Sequence, residues 1–367
     1  MALIEEVNEK RKEIRTDGYA MSISEWAALY ESKEVDIHPE FQRFYRWNEL
    51  QKTNLIESIL LGIPIPPIFV SQKKDGIWDV VDGLQRLSTI YQFMGVLKDE
   101  NSNNIAPLRL QGTKYLPSLE GKYWNNPSDP NNSFNQDLRL IIKRSKINVS
   151  IILKESDDTA KYDLFQRLNT GGSNLSAQEV RNCILVMINK DFYTWLQSLA
   201  ANASFQDCIS LSDRPLGEAY DLELALRFLI FSLIDESELN CIGDVGVFVT
   251  EKMRDLALNQ NFNRIMWENL FKSTFDLLNS VLSDRSFKRY KVSTQKFTGG
   301  FLLSQYEVVA YGVAYNLHNN KAASNIEEIV KNIWKDERYT SWSGSGITAT
   351  RRLPRLLPFG REAFNGN

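Results

Sequence analysis

The chain has 367 residues, 43% of them hydrophobic, which is enough for two domains of ordinary size. Its 43 Lys and Arg stand against 46 Asp and Glu, and the formal charge of −3 excludes a polycation that coats nucleic acid unaided; DNA could be gripped only by a local patch. Three cysteines without a C-x-x-C pair speak against a disulfide framework or a zinc ribbon, and two histidines, His38 and His318, exclude an H-E-x-x-H metalloprotease and leave an HNH nuclease or a Ser-His-Asp triad little to build with.

The opening stretch MALIEEVNEKRKEIRTDG lacks the apolar core of a signal peptide, and no later run reaches membrane-spanning length, so a cytoplasmic protein without membrane contact is expected. Ser22 and Glu25 form a capping box that predicts a short helix through Trp26 and Leu29. Val35–Ile37 alternates like a brief strand, and the aromatic and basic loop FQRFYRW, 41–47, follows. Leu50, Leu55, Ile59 and Leu60 then lie at helical spacing, stopped by Gly62 and Pro64. PIPPIFVSQ and IWDVV read as two strands around a Lys73-Lys74-Asp75-Gly76 turn. At Asp82-Gly83 the second strand turns sharply into a helix predicted from Leu84 to Leu97.

Residues 112–136 are rich in Asn, Pro, Ser and Gly and predict a surface excursion that tolerates insertion. LRLIIKRSKINVSIIL supplies β-prone residues. A helix carrying Tyr162, Phe165 and Leu168 follows, closed by Asn169-Thr170-Gly171-Gly172, and Ser176 with Glu179 opens the next. From Phe192 onward the signal is mostly helical. The three cysteines, Cys183, Cys208 and Cys241, read as buried thiols. Asp157, Asp158, Asp213 and Glu223 read as solvated helix starts, and the Arg351, Arg352 and Arg355 stretch as a basic end covering the helical domain.

Three segments carry candidate chemistry. In VVDGLQRLSTI, a glycine turn feeds a helix whose first amides can seat an anion. Gln85 and Arg86 occupy that first turn, where the helix dipole disfavours a cation and something negative should compensate it. The bland reading is that Asp82 pairs with Arg86 or caps the helix. The loop Gln42-Arg43-Phe44-Tyr45-Arg46-Trp47 repeats the Gln-Arg pairing beside aromatic faces; guanidinium groups suit phosphate oxygens and rings stack on bases, although Phe41, Tyr45 and Trp47 could equally be core aromatics. In the third, FQRLNTGG, a helix C-cap explains the glycines and leaves Asn169 over.

Together, VDIHPEFQRFYRW, NLIESILLGIPIPPIFV, WDVVDGLQRLSTI and FQRLNTGGSNLSAQEVRNCIL resemble, in order and spacing, the N-terminal domain of GmrSD-type modification-dependent restriction proteins, a branch of the ParB/sulfiredoxin-like superfamily with a D-G-Q-Q-R motif. The motif stands here as Asp82-Gly83-Leu84-Gln85-Arg86, with Leu84 replacing its first glutamine. The resemblance implies an α+β fold: a ParB/sulfiredoxin-like domain over 1–190, followed by an α-helical bundle domain over 191–367. It also implies a nucleotide-binding, often nucleotide-hydrolysing, module of bacterial defence, a sensor or switch using a nucleoside triphosphate with Mg2+. Carried over by position, Gln42 and Arg43, with Gly83, Gln85 and Arg86, would clasp the nucleotide phosphates, and Tyr45, Arg46, Trp47 and Asn169 are further candidates for binding the nucleotide. Arg86 would hold phosphate, Asp82 would hold magnesium or orient water, and Gln85 would position the attacking water. Cleavage would belong to a separate nuclease or toxin effector, since an HNH site requires more histidines. The rival expectation is a non-catalytic DNA-binding or scaffold module recruiting such a partner. Whether nucleotide is hydrolysed or only bound, and whether the chain forms a homo-oligomer, stay open.

Overall fold

The computed structural model describes residues 3–5, 15–37, 47–99, 101–154, 176–344 and 346–366. Two compact units divide between Asn174 and Leu175, and both helices and strands are present. Among the described residues, no helix is long and apolar enough to cross a membrane.

The first unit contains β1 (Thr16–Ser22), α1 (Ile23–Glu31), β2 (Val35–Asp36), α2 (Glu49–Leu61), β3 (Ile68–Gln72), β4 (Trp78–Asp82), α3 (Leu84–Met94), α4 (Gln136–Arg144) and β5 (Lys146–Ile152). Its mixed sheet has the order β1-β5-β3-β4-β2. β1 runs antiparallel to β5 and β3 to β4, while β3 pairs parallel with β5 and β2 with β4. Trp26 of α1, Ile56 of α2, Ile68 and Val70 of β3, and Ile90 of α3 meet in one core, and the Tyr91 hydroxyl donates to Trp26 O at 3.0 Å.

Local chemistry sets most boundaries. Ser22 and Glu25 form the predicted capping box of α1, and Asn48 with Gln51 forms another at α2. Gly62 closes α2 in the left-handed conformation, φ 69°, which costs glycine little. The hairpin joins β3 to β4 through Lys73–Ile77, with Lys73 N donating to Ile77 O at 2.8 Å and Asp75 accepting from Ile77 N.

Several expectations need correction. α3 ends at Met94, not Leu97, because Gly95 turns the backbone left-handed at φ 77°. LRLIIKR is helix rather than strand: the Asn135 side chain caps its start, Lys143 and Arg144 complement its C-terminal dipole, and the β segment begins only at Lys146. The excursion across 112–136 is anchored rather than free. Leu119 and Phe134 are buried, and buried Glu57 of α2 accepts from the Thr113 hydroxyl and from Leu116 N, so insertion near these residues would disturb the core.

The second unit begins with α5 (Ala177–Ile188), opened by the predicted Ser176–Glu179 capping box. There follow α6 (Lys190–Ala200), α7 (Ala203–Ile209), α8 (Asp213–Gly217), α9 (Tyr220–Phe231), α10 (Glu236–Leu239), α11 (Val245–Leu258) and α12 (Arg264–Val281). A ribbon of β6 (Arg289–Lys291) and β7 (Lys296–Thr298) precedes α13 (Leu303–His318), α14 (Ile326–Asn332), α15 (Glu337–Thr340) and α16 (Ala349–Ala363). The mostly helical reading misses this ribbon.

Of the supposed basic covering, Arg352 is buried while Arg351 and Arg355 are exposed. α16 packs on α13 so closely that a Cβ on Gly312 would lie 2.5 Å from Gly360 O, and Arg352 makes a two-pronged pair with buried Glu307 at 2.6 and 2.9 Å. Glu223 is not a solvated helix start either: it lies 3.1 Å from Arg181 and 2.7 Å from Arg227. Cys183 and Cys208 are buried as expected, but Cys241 is exposed.

Candidate functional site at the β4–α3 turn

Gly83 makes the turn. Its φ of 102° and ψ of 10° suit a residue without a Cβ, and an added Cβ would come 2.3 Å from Ile68 Cδ1 and 3.3 Å from Arg86 Nη2. Serving as N-cap, it has no side chain with which to close the first turn of α3.

Arg86 is fixed by that turn. Nη2 donates to Asp82 Oδ2 at 2.8 Å, and Nη1 donates to the carbonyls of Pro66 and Pro67 at 2.6 and 3.1 Å. The negative group required beside a cation at a helix start is therefore Asp82, supported by two backbone acceptors. Of the five guanidinium donors, three are taken, leaving two among the described residues. Arg86 is 9% exposed. Gln85 is half-buried on the same turn, and its main-chain carbonyl accepts from the Thr89 hydroxyl at 2.7 Å.

The geometry brings Asp82, Gly83, Gln85 and Arg86 together. Trp47 is half-buried against the core of the first unit, as the core-aromatic reading expects. Gln42, Arg43, Tyr45 and Arg46, as well as Asn169 with the helix around Phe165 and the acids Asp157 and Asp158, lie outside the described residues. Among the described residues, no group of three or more His, Cys, Asp or Glu could hold a metal ion. Asp82 offers one carboxylate with a partly exposed side chain; that fits Mg2+ held by one carboxylate and substrate phosphates, not an all-protein cage.

Sequence reasoning missed a pocket of the first unit. A cavity of about 660 Å3 opens beside Tyr30, Lys33, Asp36, Ile37, Lys73 and Val96. It adjoins the C-terminal end of α3, roughly 16 Å from the turn by helix length, and Asp82, Gln85 and Arg86 do not line it. Lys73 bridges Asp79 at 2.6 Å and Asp36 at 3.5 Å. Burial alone would lower the lysine pKa, but the two carboxylates outweigh it and hold it above its ordinary value. Asp79 is 3% exposed, so this ion pair stiffens the hairpin and does not leave a lysine ready for a ligand.

No curated protein and no solved structure matches the chain. The family model for the GmrSD restriction endonuclease, N-terminal domain, matches residues 26–186, a span that holds the β4–α3 turn and the capping box at Ser176. Over that span the chain carries a GmrSD-type N-terminal domain.

Proposed function

We propose that this chain is the nucleotide-responsive component of a restriction-type defence system and acts with a separate effector. The observation that carries the reading is the start of α3: a glycine turn at the helix N-terminus, Gln85 on its first turn, and a guanidinium held rigidly beside it. Anchoring by Asp82 and two prolyl carbonyls removes the rotamer freedom Arg86 would otherwise lose on binding phosphate, and its two remaining donors suit an oxyanion. Gln85 would orient water, Asp82 would meet Mg2+ through its other oxygen, and Arg43 would close on the phosphates from the preceding loop.

The test is to titrate the purified chain with each nucleoside triphosphate and Mg2+, with and without duplex DNA, while following phosphate release. One nucleotide should bind, and Gln85→Ala should slow phosphate release by 10-fold or more, in the range of a lost water-positioning group, while leaving binding largely intact. If no nucleotide binds under any condition, the reading is wrong.

A second reading is favoured by the same anchoring. If Arg86 serves only to fasten the turn to the Pro66–Pro67 segment, the domain is a scaffold that presents DNA to a nuclease or toxin. Binding of DNA without any nucleotide effect would select it.

A further inference from the structure

The β6–β7 ribbon breaks a rule of sheet construction. Lys291 and Lys296 are direct cross-strand partners, and like charges facing each other weaken a two-stranded ribbon. Arg289 shares their face, with side chains alternating along the strand, and all three are exposed. The opposite face is apolar: Tyr290 is buried, its ring centroid is 5.1 Å from Phe297, and Arg285 lies over Phe297. From Phe287 to Gly300 the sequence has four cations, Lys288, Arg289, Lys291 and Lys296, and no acid. Lys288 pairs with Asp284 at 2.5 Å, whereas no described carboxylate pairs with Arg289, Lys291 or Lys296. The joining turn, 292–295, is exposed throughout and places Gln295 at φ 53°.

No described carboxylate of the second unit offsets that repulsion, and an anion from outside would relieve it. We propose that the outer face of this ribbon, through Arg289, Lys291 and Lys296, is a docking surface for the phosphate backbone of duplex DNA. A two-stranded ribbon fits a major groove about 12 Å wide. Cations two residues apart along a strand recur every roughly 6.8 Å, the axial advance of two phosphates of a duplex strand at about 3.4 Å each. Arg289, lying 5.6 Å over the Trp334 ring, is held to the body of the unit while the two lysines stand at the turn end. A chain of net charge −3 thereby gains the local patch it needs. The inference stands whether or not the β4–α3 turn binds nucleotide.

The test uses the full chain and fluorescence anisotropy of a labelled duplex across a salt series. Replacing both lysines, Lys291→Gln with Lys296→Gln, should flatten the slope of log affinity against log salt by about 1.8, from about 0.9 per lost phosphate contact. Lys143→Gln with Arg144→Gln, on α4, should leave the slope unchanged. The charge reversal Lys291→Glu separates structure from recognition: it should raise the melting temperature, by replacing a repulsion with an attraction, yet weaken DNA binding by more than the neutral change does. The proposal is overturned if the wild type binds no duplex, if the lysine substitutions leave slope and affinity unaltered, or if only an acidic polypeptide such as polyglutamate is bound.

Discussion

Arg86 and Asp82, four residues apart across the turn from β4 into α3, share a 2.8 Å ion pair whose guanidinium also clasps the carbonyls of Pro66 and Pro67. One side chain thus joins the end of a central strand, the start of a helix and the proline segment leading into β3. Arg86→Ala leaves a carboxylate and two carbonyls without these donors, and hydrogen bonds to charged groups contribute about 1.5–3 kcal/mol each, non-additively. A loss near 3 kcal/mol in urea unfolding is expected. Arg86→Lys should recover only part, because an ammonium cannot fork to acceptors on two sides. A loss below about 1 kcal/mol for the alanine variant would show that the clasp is dispensable.

Gly83 should be the most demanding of the described glycines of the first unit. Gly83→Ala places a side chain at positive φ, about 1–2 kcal/mol by itself, and drives it into Ile68, which is fully buried in the core. Gly95→Ala has the same kind of strain, φ 77°, with nothing within 4 Å of the new Cβ. The measurement is the difference in urea midpoint between the two variants. Equal losses would mean that Ile68 yields freely and that the turn is not a close approach.

The sequence makes the capping boxes at Ser22 and Ser176, the glycine stop at Gly62 and the Asp75-Gly76 hairpin legible because each depends on residues a few positions apart. LRLIIKR is misread because a short apolar run fits both periods, and only the Asn135 cap tips it to helix. The ribbon hides because its strands have three residues each, too few for alternation to register. At the candidate site, the residue types are visible and so is the Asp82–Arg86 pairing at i and i+4. The hold of Arg86 on Pro66 and Pro67 is not, because backbone carbonyls leave no trace in composition. Arg352 looks like a tail cation for a related reason: its partner Glu307 is 45 residues away.

That pair carries its own prediction. Arg352 Nε and Nη2 meet both oxygens of Glu307, whose side chain has no exposure, and Nη1 donates to Ile347 O at 3.1 Å. Removing one partner strands the other charge in the interior, so Arg352→Ala should cost about 3–5 kcal/mol, whereas replacing both residues by apolar ones of similar volume, Glu307→Leu with Arg352→Met, should cost much less. Chemical denaturation of the two variants checks it. An equal loss in the single and double variants would mean that packing, not charge, dominates.

High pH should unfold the helical unit through its buried acids. Burial pushes the Cys208 thiol and the Tyr220 hydroxyl each up to about 12, and raises Cys183, Tyr306, Tyr311 and Tyr339 as well. All of these groups hold their protons more tightly folded than unfolded, where thiols and phenols start from 9.0 and 10.0. The stability they contribute is therefore complete below about pH 9 and is lost as pH climbs through the folded-state values, because the unfolded chain releases protons first. Thermal melts between about pH 9 and 12 should fall steeply, with tyrosinate absorbance appearing together with the loss of helix. Tyr311→Phe gives the sharpest control. Its buried hydroxyl has no hydrogen-bond partner among the described residues, so the change should be neutral or stabilising near pH 7 and should flatten the alkaline limb. A strong destabilisation at neutral pH would mean that this hydroxyl is satisfied in solution, and tyrosinate signal preceding helix loss would mean that the phenols titrate in the folded state.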